Sequence, residues 1–124
     1  MSSEAPPASP PTTPAPARTT SYGDDPAQVY DVREPTTPGP TPGAAVRGVT
    51  VVVVHGGFWR ATYDREHAGP QAQGLADRGF HVAVVEYRRV TMPGGGWPGT
   101  FDDVSAAIAA VRADATLPEP TVLL

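Results

Sequence analysis

The sequence predicts an α/β fold, a mostly parallel sheet with flanking helices, preceded by a disordered tail. Three observations carry this. The run Val49-Thr50-Val51-Val52-Val53-Val54 is apolar without alternation, which suits a strand buried on both faces. It stops at His55-Gly56-Gly57, the kind of polar, glycine-rich turn found where such strands end. A helical pattern and a second apolar run, 81–87, come next, and a strand–helix–strand unit of this kind is parallel and right-handed.

The tail is read from composition. Eleven of the 16 prolines precede residue 43, and residues 1–27 are mostly Pro, Ala, Ser and Thr. Such a segment buries too little apolar surface to offset its ordering entropy, so 1–27 is expected to be disordered and 28–124 to form the domain. Met1–Ala8 has neither the basic nor the apolar region of a secretory signal, and no apolar run is long enough to span a bilayer. A cytoplasmic protein without a membrane partner is therefore expected. The absence of cysteine excludes disulfides and thiolate metal sites, and the net charge of −4 argues against a nucleic-acid partner.

Within the domain, residues 28–33 alternate imperfectly and read as a short edge strand ended by Pro35. Residues 35–45 are a Pro-, Gly- and Thr-rich loop. After the central strand, Thr62 or Asp64 can cap a helix whose apolar face is Ala68, Ala72, Leu75 and Ala76. Gly69-Pro70 either kinks it or restarts it with Pro70 in the first turn, and Gly79 ends it. The strand 81–87 leads into a long loop, 88–99. Thr100 and Asp103 have capping-box spacing for a second helix lined by Val104, Ala107, Ile108 and Val111. Leu117-Pro118 closes that helix, and 121–124 begins another buried strand.

Chemistry concentrates at the turn after the central strand. Backbone N–H groups of Gly57 and Phe58 could stabilise an oxyanion in acyl transfer, or the glycines could simply make a tight turn. No Ser, Cys or Asp adjoins His55, so it is read as hydrogen-bonding and shaping the loop rather than as a base. His67 and His81 have no ligand spacing, and neither a metal nor a cofactor is expected. The run 94–99 formally satisfies G-x-G-x-x-G, with Glu119 twenty residues beyond it. Residues 88–93 separate it from its strand and Pro98 removes an N–H, so it is read as a flexible loop rather than a dinucleotide site. Arg88 and Arg89 could hold an anionic substrate, but the favoured reading is salt-bridged or solvated side chains, with one of them able to pair with Glu86, Asp102 or Asp103. Trp59 and Trp97 either wall a pocket or belong to the core. Ser105 is the one serine beyond the first 27 residues, and it lies in a helix; no G-x-S-x-G nucleophile elbow is present.

Three stretches together carry a resemblance: 51–60 (VVVVHGGFWR), 86–89 (EYRR) and 95–104 (GGWPGTFDDV). They resemble the α/β-hydrolase superfamily, in particular its HGGxW branch of kynurenine formamidase-like enzymes and carboxylesterases. The resemblance implies an esterase or amidase acting on small esters or aryl amides through an acyl-serine. It implies that Gly57 and Phe58 are oxyanion-hole donors, with Gly56 and His55 shaping the loop. Phe58 stands where HGGG-type lipases have a third glycine. The implied strand order is 28–33, 81–87, 49–54, 121–124. In that superfamily the nucleophile elbow follows the last of these strands, so the chain is expected to be a truncated, inactive N-terminal portion with an incomplete fold. A complementing C-terminal half is then a possible partner beside the small-molecule substrate. The competing expectations are a non-catalytic α/β module binding a small acidic ligand at the same turn, and a nucleotide-binding domain.

Overall fold

The computed structural model describes residues 13–36, 49–56 and 64–124. Five strands occur there: β1 (Arg18–Ser21), β2 (Val29–Arg33), β3 (Thr50–Val54), β4 (His81–Val85) and β5 (Thr121–Leu123). A 3-10 turn (Arg65–Ala68) runs into helix α1 (Gly69–Asp77) between β3 and β4, and helix α2 (Gly99–Ala113) joins β4 to β5. The strands form one sheet in the order β1-β2-β4-β3-β5. β3 is parallel to both β4 and β5, whereas β2 is antiparallel to β1 and β4, so four of the five strands point the same way. The order of the four expected strands is the one implied by the resemblance.

The valines of β3 explain the two layers. Successive side chains of a strand face opposite ways, so a strand between two helical layers must be apolar throughout. Val51 and Val53 pack with Ala68, Ala72, Ala76, Val82 and Val84 beneath α1. Val52 joins Tyr30, Val32, Ala83, Val85, Ala107, Val111 and Leu117 beneath α2. Full burial of a valine stabilises by roughly 1.5 kcal/mol or more. The alanines of α1 bring its axis close to the sheet; any longer side chain at the fully buried Ala72 or Ala76 would push the layers apart.

α1 restarts at Gly69-Pro70, with Pro70 in its first turn where a missing N–H costs nothing. Asp64 caps the preceding 3-10 turn, its side chain accepting from Glu66 N at 3.0 Å. Gly79 closes α1 at φ +100°, and its N–H donates to the Ala76 carbonyl.

Four expectations are corrected. The segment 1–27 is not wholly a disordered tail, because β1 lies inside it. Thr19 and Thr20 pair with Asp31 and Tyr30, the ladder is flanked by backbone bonds from Ala17 N to Val32 O and from Tyr22 N to Gln28 O, both 2.8 Å, and the Tyr22 hydroxyl donates to the Glu86 carbonyl at 2.6 Å. β2 is consequently an interior strand, not an edge. β4 ends at Val85, leaving Glu86 and Tyr87 beyond the ladder. α2 begins at Gly99 without a side-chain cap. The buried Thr100 hydroxyl turns to the loop instead, donating to the Arg88 carbonyl and accepting from Gly96 N. Asp103 is occupied by Arg88.

Candidate active site

The site begins where β3 and β4 run out together. Val54 and Val85 are the last paired residues of the parallel ladder, and the next residue on each strand is polar: His55 and Glu86. Both are buried, at 4% and 2% exposure. Their side chains meet, His55 Nε2 lying 2.7 Å from Glu86 Oε1. The other ring nitrogen, Nδ1, lies 3.0 Å from the Gly56 carbonyl oxygen. The Tyr87 ring stacks on the imidazole at 4.4 Å between centroids, and its hydroxyl donates to the His55 carbonyl at 2.9 Å. Burial, with the Glu86 charge nearby, pushes the Tyr87 hydroxyl up to about 12, so it stays a donor.

Glu86 is the centre of this arrangement. Its Oε1 also accepts from Tyr87 N, and its Oε2 accepts from Arg65 N at 2.8 Å. Arg65 Nη1 and Arg89 Nη1 stand 3.5 and 3.3 Å from Oε2. Burial alone would raise the Glu86 carboxyl. The bond to His55 and the other donors outweigh it and hold the group below the usual carboxylate range. Arg65 reaches on to Asp31 through Nε at 2.8 Å, which ties β2 into the same network.

Arg88 and Asp103 form a second, separate pair. Asp103 Oδ2 accepts from Arg88 N and Nε, and Oδ1 accepts from Arg88 Nη2 and Gln28 Nε2. Both arginines thus bind carboxylates of the chain. Between them and α2, Gly94 and Gly96 have φ near +80°. The N–H groups of Gly95 and Gly96 are spent on Met92 O and Thr100 Oγ1, so this glycine run is closed on itself and offers no phosphate cradle there.

Of the site residues expected from sequence, His55 and Gly56 lie together at the end of β3. Gly57, Phe58 and Trp59 lie outside the described residues. Trp97 is 73% exposed on the loop before α2 and packs against Phe101 at 5.4 Å, apart from the core. His67 sits on the 3-10 turn and His81 opens β4. Among the described residues no three His, Asp or Glu side chains are grouped to hold a metal. No helix among them is long and apolar enough to cross a membrane. A cavity of about 530 Å³ lies against Thr19, Arg33, Arg65 and Gly69 and shares Arg65 and Asp31 with the Glu86 network. Glu86 as a hub was missed from sequence. The available signal was positional: an acid directly after one buried strand, level with a histidine directly after its neighbour.

A polar histidine–glycine turn at the carboxyl end of a parallel strand, braced by buried charge, is a scaffold suited to presenting backbone N–H groups. The sequence profile of the BD-FAE family matches residues 41–117, more than half of the chain and all of β3, α1, β4 and α2. The chain belongs to the BD-FAE family. This is an esterase-like α/β-hydrolase family. Two solved structures are similar. A protein assigned as a thioesterase from Silicibacter sp. TM1040 superposes with TM-score 0.63 at 25% identity, over 86% of this chain and 37% of that one. A bifunctional GH43-CE protein from Bacteroides eggerthii superposes with TM-score 0.61 at 26% identity, over 83% of this chain and 13% of that one. The 124 residues therefore span less than two fifths of either structure. The sequence matches none of the curated proteins. Membership of the BD-FAE family and these neighbours make the fold α/β-hydrolase-like.

Proposed function

We propose that this chain carries the oxyanion-hole side of a serine esterase or amidase that cleaves small carboxylic esters or aryl amides through an acyl-serine. The observation that supports this most directly is the turn itself. His55 and Gly56 stand at the carboxyl end of a buried parallel strand and are held by Glu86 and Tyr87. In this reading the backbone N–H groups of Gly57 and Phe58 receive the charge that develops on the substrate carbonyl oxygen. His55 and Gly56 shape the loop. Such donors work by standing in place before the charge forms, so the rigidity of the turn matters as much as its chemistry. The thioesterase assignment of one structural neighbour adds thioesters to the acyl substrates worth testing.

An acyl-serine requires an activated serine, and the 124 residues hold no G-x-S-x-G. In this proposal the nucleophile, acid and base come from sequence beyond these residues. The 124-residue chain is expected to show no hydrolysis of p-nitrophenyl acetate above a heat-denatured control and no serine labelling by a fluorophosphonate. A product extended through the downstream coding region, directly or after one frame correction, is expected to show both. Replacing one donor N–H in that product, with Gly57→Pro, should lower kcat by about 10²–10³. Stoichiometric labelling of a serine within the 124 residues would overturn the proposal. So would an extended product with neither hydrolysis nor labelling, which would favour a non-catalytic ligand-binding module.

A further inference from the structure

Both ring nitrogens of His55 face acceptors. Nε2 is 2.7 Å from a Glu86 carboxylate oxygen, and Nδ1 is 3.0 Å from the Gly56 carbonyl oxygen. A neutral imidazole has one N–H and one lone pair. In either tautomer one nitrogen lone pair would point at an oxygen lone pair inside a buried site. Tyr87 gives no relief. Its hydroxyl is 3.4 Å from Nδ1 but donates to the His55 carbonyl at 2.9 Å. Glu86 cannot supply the missing proton either. Among the described residues it takes Tyr87 N and Arg65 N as hydrogen-bond donors and faces the cationic groups of Arg65 and Arg89, a setting that keeps it ionised.

We infer that Glu86 is a positioning residue that holds His55 as a doubly protonated imidazolium, and that this cation clamps the Gly56 carbonyl. With that proton, among the described residues His55, Arg65 and Arg89 face the carboxylates of Glu86 and Asp31. A trans peptide is planar, so whatever fixes a carbonyl oxygen fixes the N–H of the same peptide unit in the opposite direction. Clamping the Gly56 carbonyl therefore aims the amide that the function proposed above uses as an oxyanion donor. That last consequence rests on the proposed function; the charge state of His55 does not.

The test is a two-bond ¹H–¹⁵N correlation spectrum of the histidine rings in the uniformly ¹⁵N-labelled 124-residue chain at pH 7. His67 and His81 serve as internal comparisons. Both His55 ring nitrogens are expected in the protonated range. In Glu86→Gln one of them should move to the unprotonated range, while Glu86→Asp, which keeps the charge, should restore the doubly protonated pattern at least in part. The wild-type spectrum is decisive even if a variant fails to fold. A neutral single tautomer of His55 in the wild type overturns the inference, as does a Glu86→Gln ring spectrum identical to wild type. Because the readout needs no turnover, an inactive extended product would remove the proposed function and leave the clamp standing.

Discussion

Asp103→Ala should be among the most destabilising single changes outside the apolar core. The carboxylate is 2% exposed and accepts four hydrogen bonds at 2.8–2.9 Å, three from Arg88 and one from Gln28. It thereby pins three segments at once: the lead-in to β2, the exit from β4 and the first turns of α2. Truncation strands the partners without an acceptor, and breaking a buried ion pair in this way costs roughly 3–5 kcal/mol. Arg88 keeps 26% of its side chain in solvent, so its guanidinium can partly rehydrate, which places the expected loss at the low end, about 3 kcal/mol. The assay is equilibrium urea unfolding followed by far-UV circular dichroism, with Asp102→Ala as control. Asp102 precedes it on the same helix, is exposed, and should cost no more than about 0.5 kcal/mol. A loss for Asp103→Ala within error of the Asp102→Ala value would refute the view that this carboxylate joins the three segments.

Three further outcomes are expected. A Cβ on Gly99 would lie 1.6 Å from the Gly94 carbonyl oxygen, whereas one on Gly56 meets nothing within 4 Å among the described residues, so Gly99→Ala should lower the melting temperature more than Gly56→Ala; the reverse order sinks the packing account. The Glu86, Asp103 and Asp114 carboxyls are all held below their ordinary range, burial opposing and the donors of His55, Arg88 and Thr116 prevailing. Their folded forms bind protons less readily than the unfolded chain, so their stabilisation is complete above about pH 4 and is lost as pH falls through the lower folded values. Melting temperatures that rise on acidification from pH 5 to pH 3 would contradict this. Finally, β5 is the outermost strand beyond β3, with Val122, Leu123 and Leu124 between 49% and 60% exposed, a template for edge pairing. Sedimentation velocity should show concentration-dependent association of the 124-residue chain that Leu123→Lys reduces, and a concentration-independent monomer would dismiss it.

Much of the framework was legible because it is written in local pattern. Valine-rich apolar runs gave β3 and β4, and Gly69-Pro70 and Gly79 punctuated α1 where the structure breaks and ends it. β1 escaped because its partner is what makes it a strand. Arg18-Thr19-Thr20-Ser21 has no buried face of its own, and its β-branched threonines and the Gly23-Asp24-Asp25 turn were outweighed by the prolines around them. The same omission turned β2 into an apparent edge. Thr100 and Asp103 have the spacing of a cap, but tertiary partners took both side chains, and spacing cannot show which partner wins. Arg88 and Arg89 were legible as structural pairs in sequence, since acids stood within reach of each. The role of Glu86 was not, because it depends on which residues of β3 and β4 lie side by side.

That alignment has a consequence for how the sheet assembles. β3 reads Thr-Val-Val-Val-Val and β4 reads His-Val-Ala-Val-Val, so sliding one past the other by a residue costs little in apolar character on either face. Strands that are apolar on both sides are poor at choosing their own alignment. A slip of one residue would carry Glu86 to the opposite face of the sheet, away from His55 and Arg65, and leave a buried charge unmatched. The pairs that brace the turn also act as a key, admitting one alignment of two otherwise interchangeable ribbons of valine.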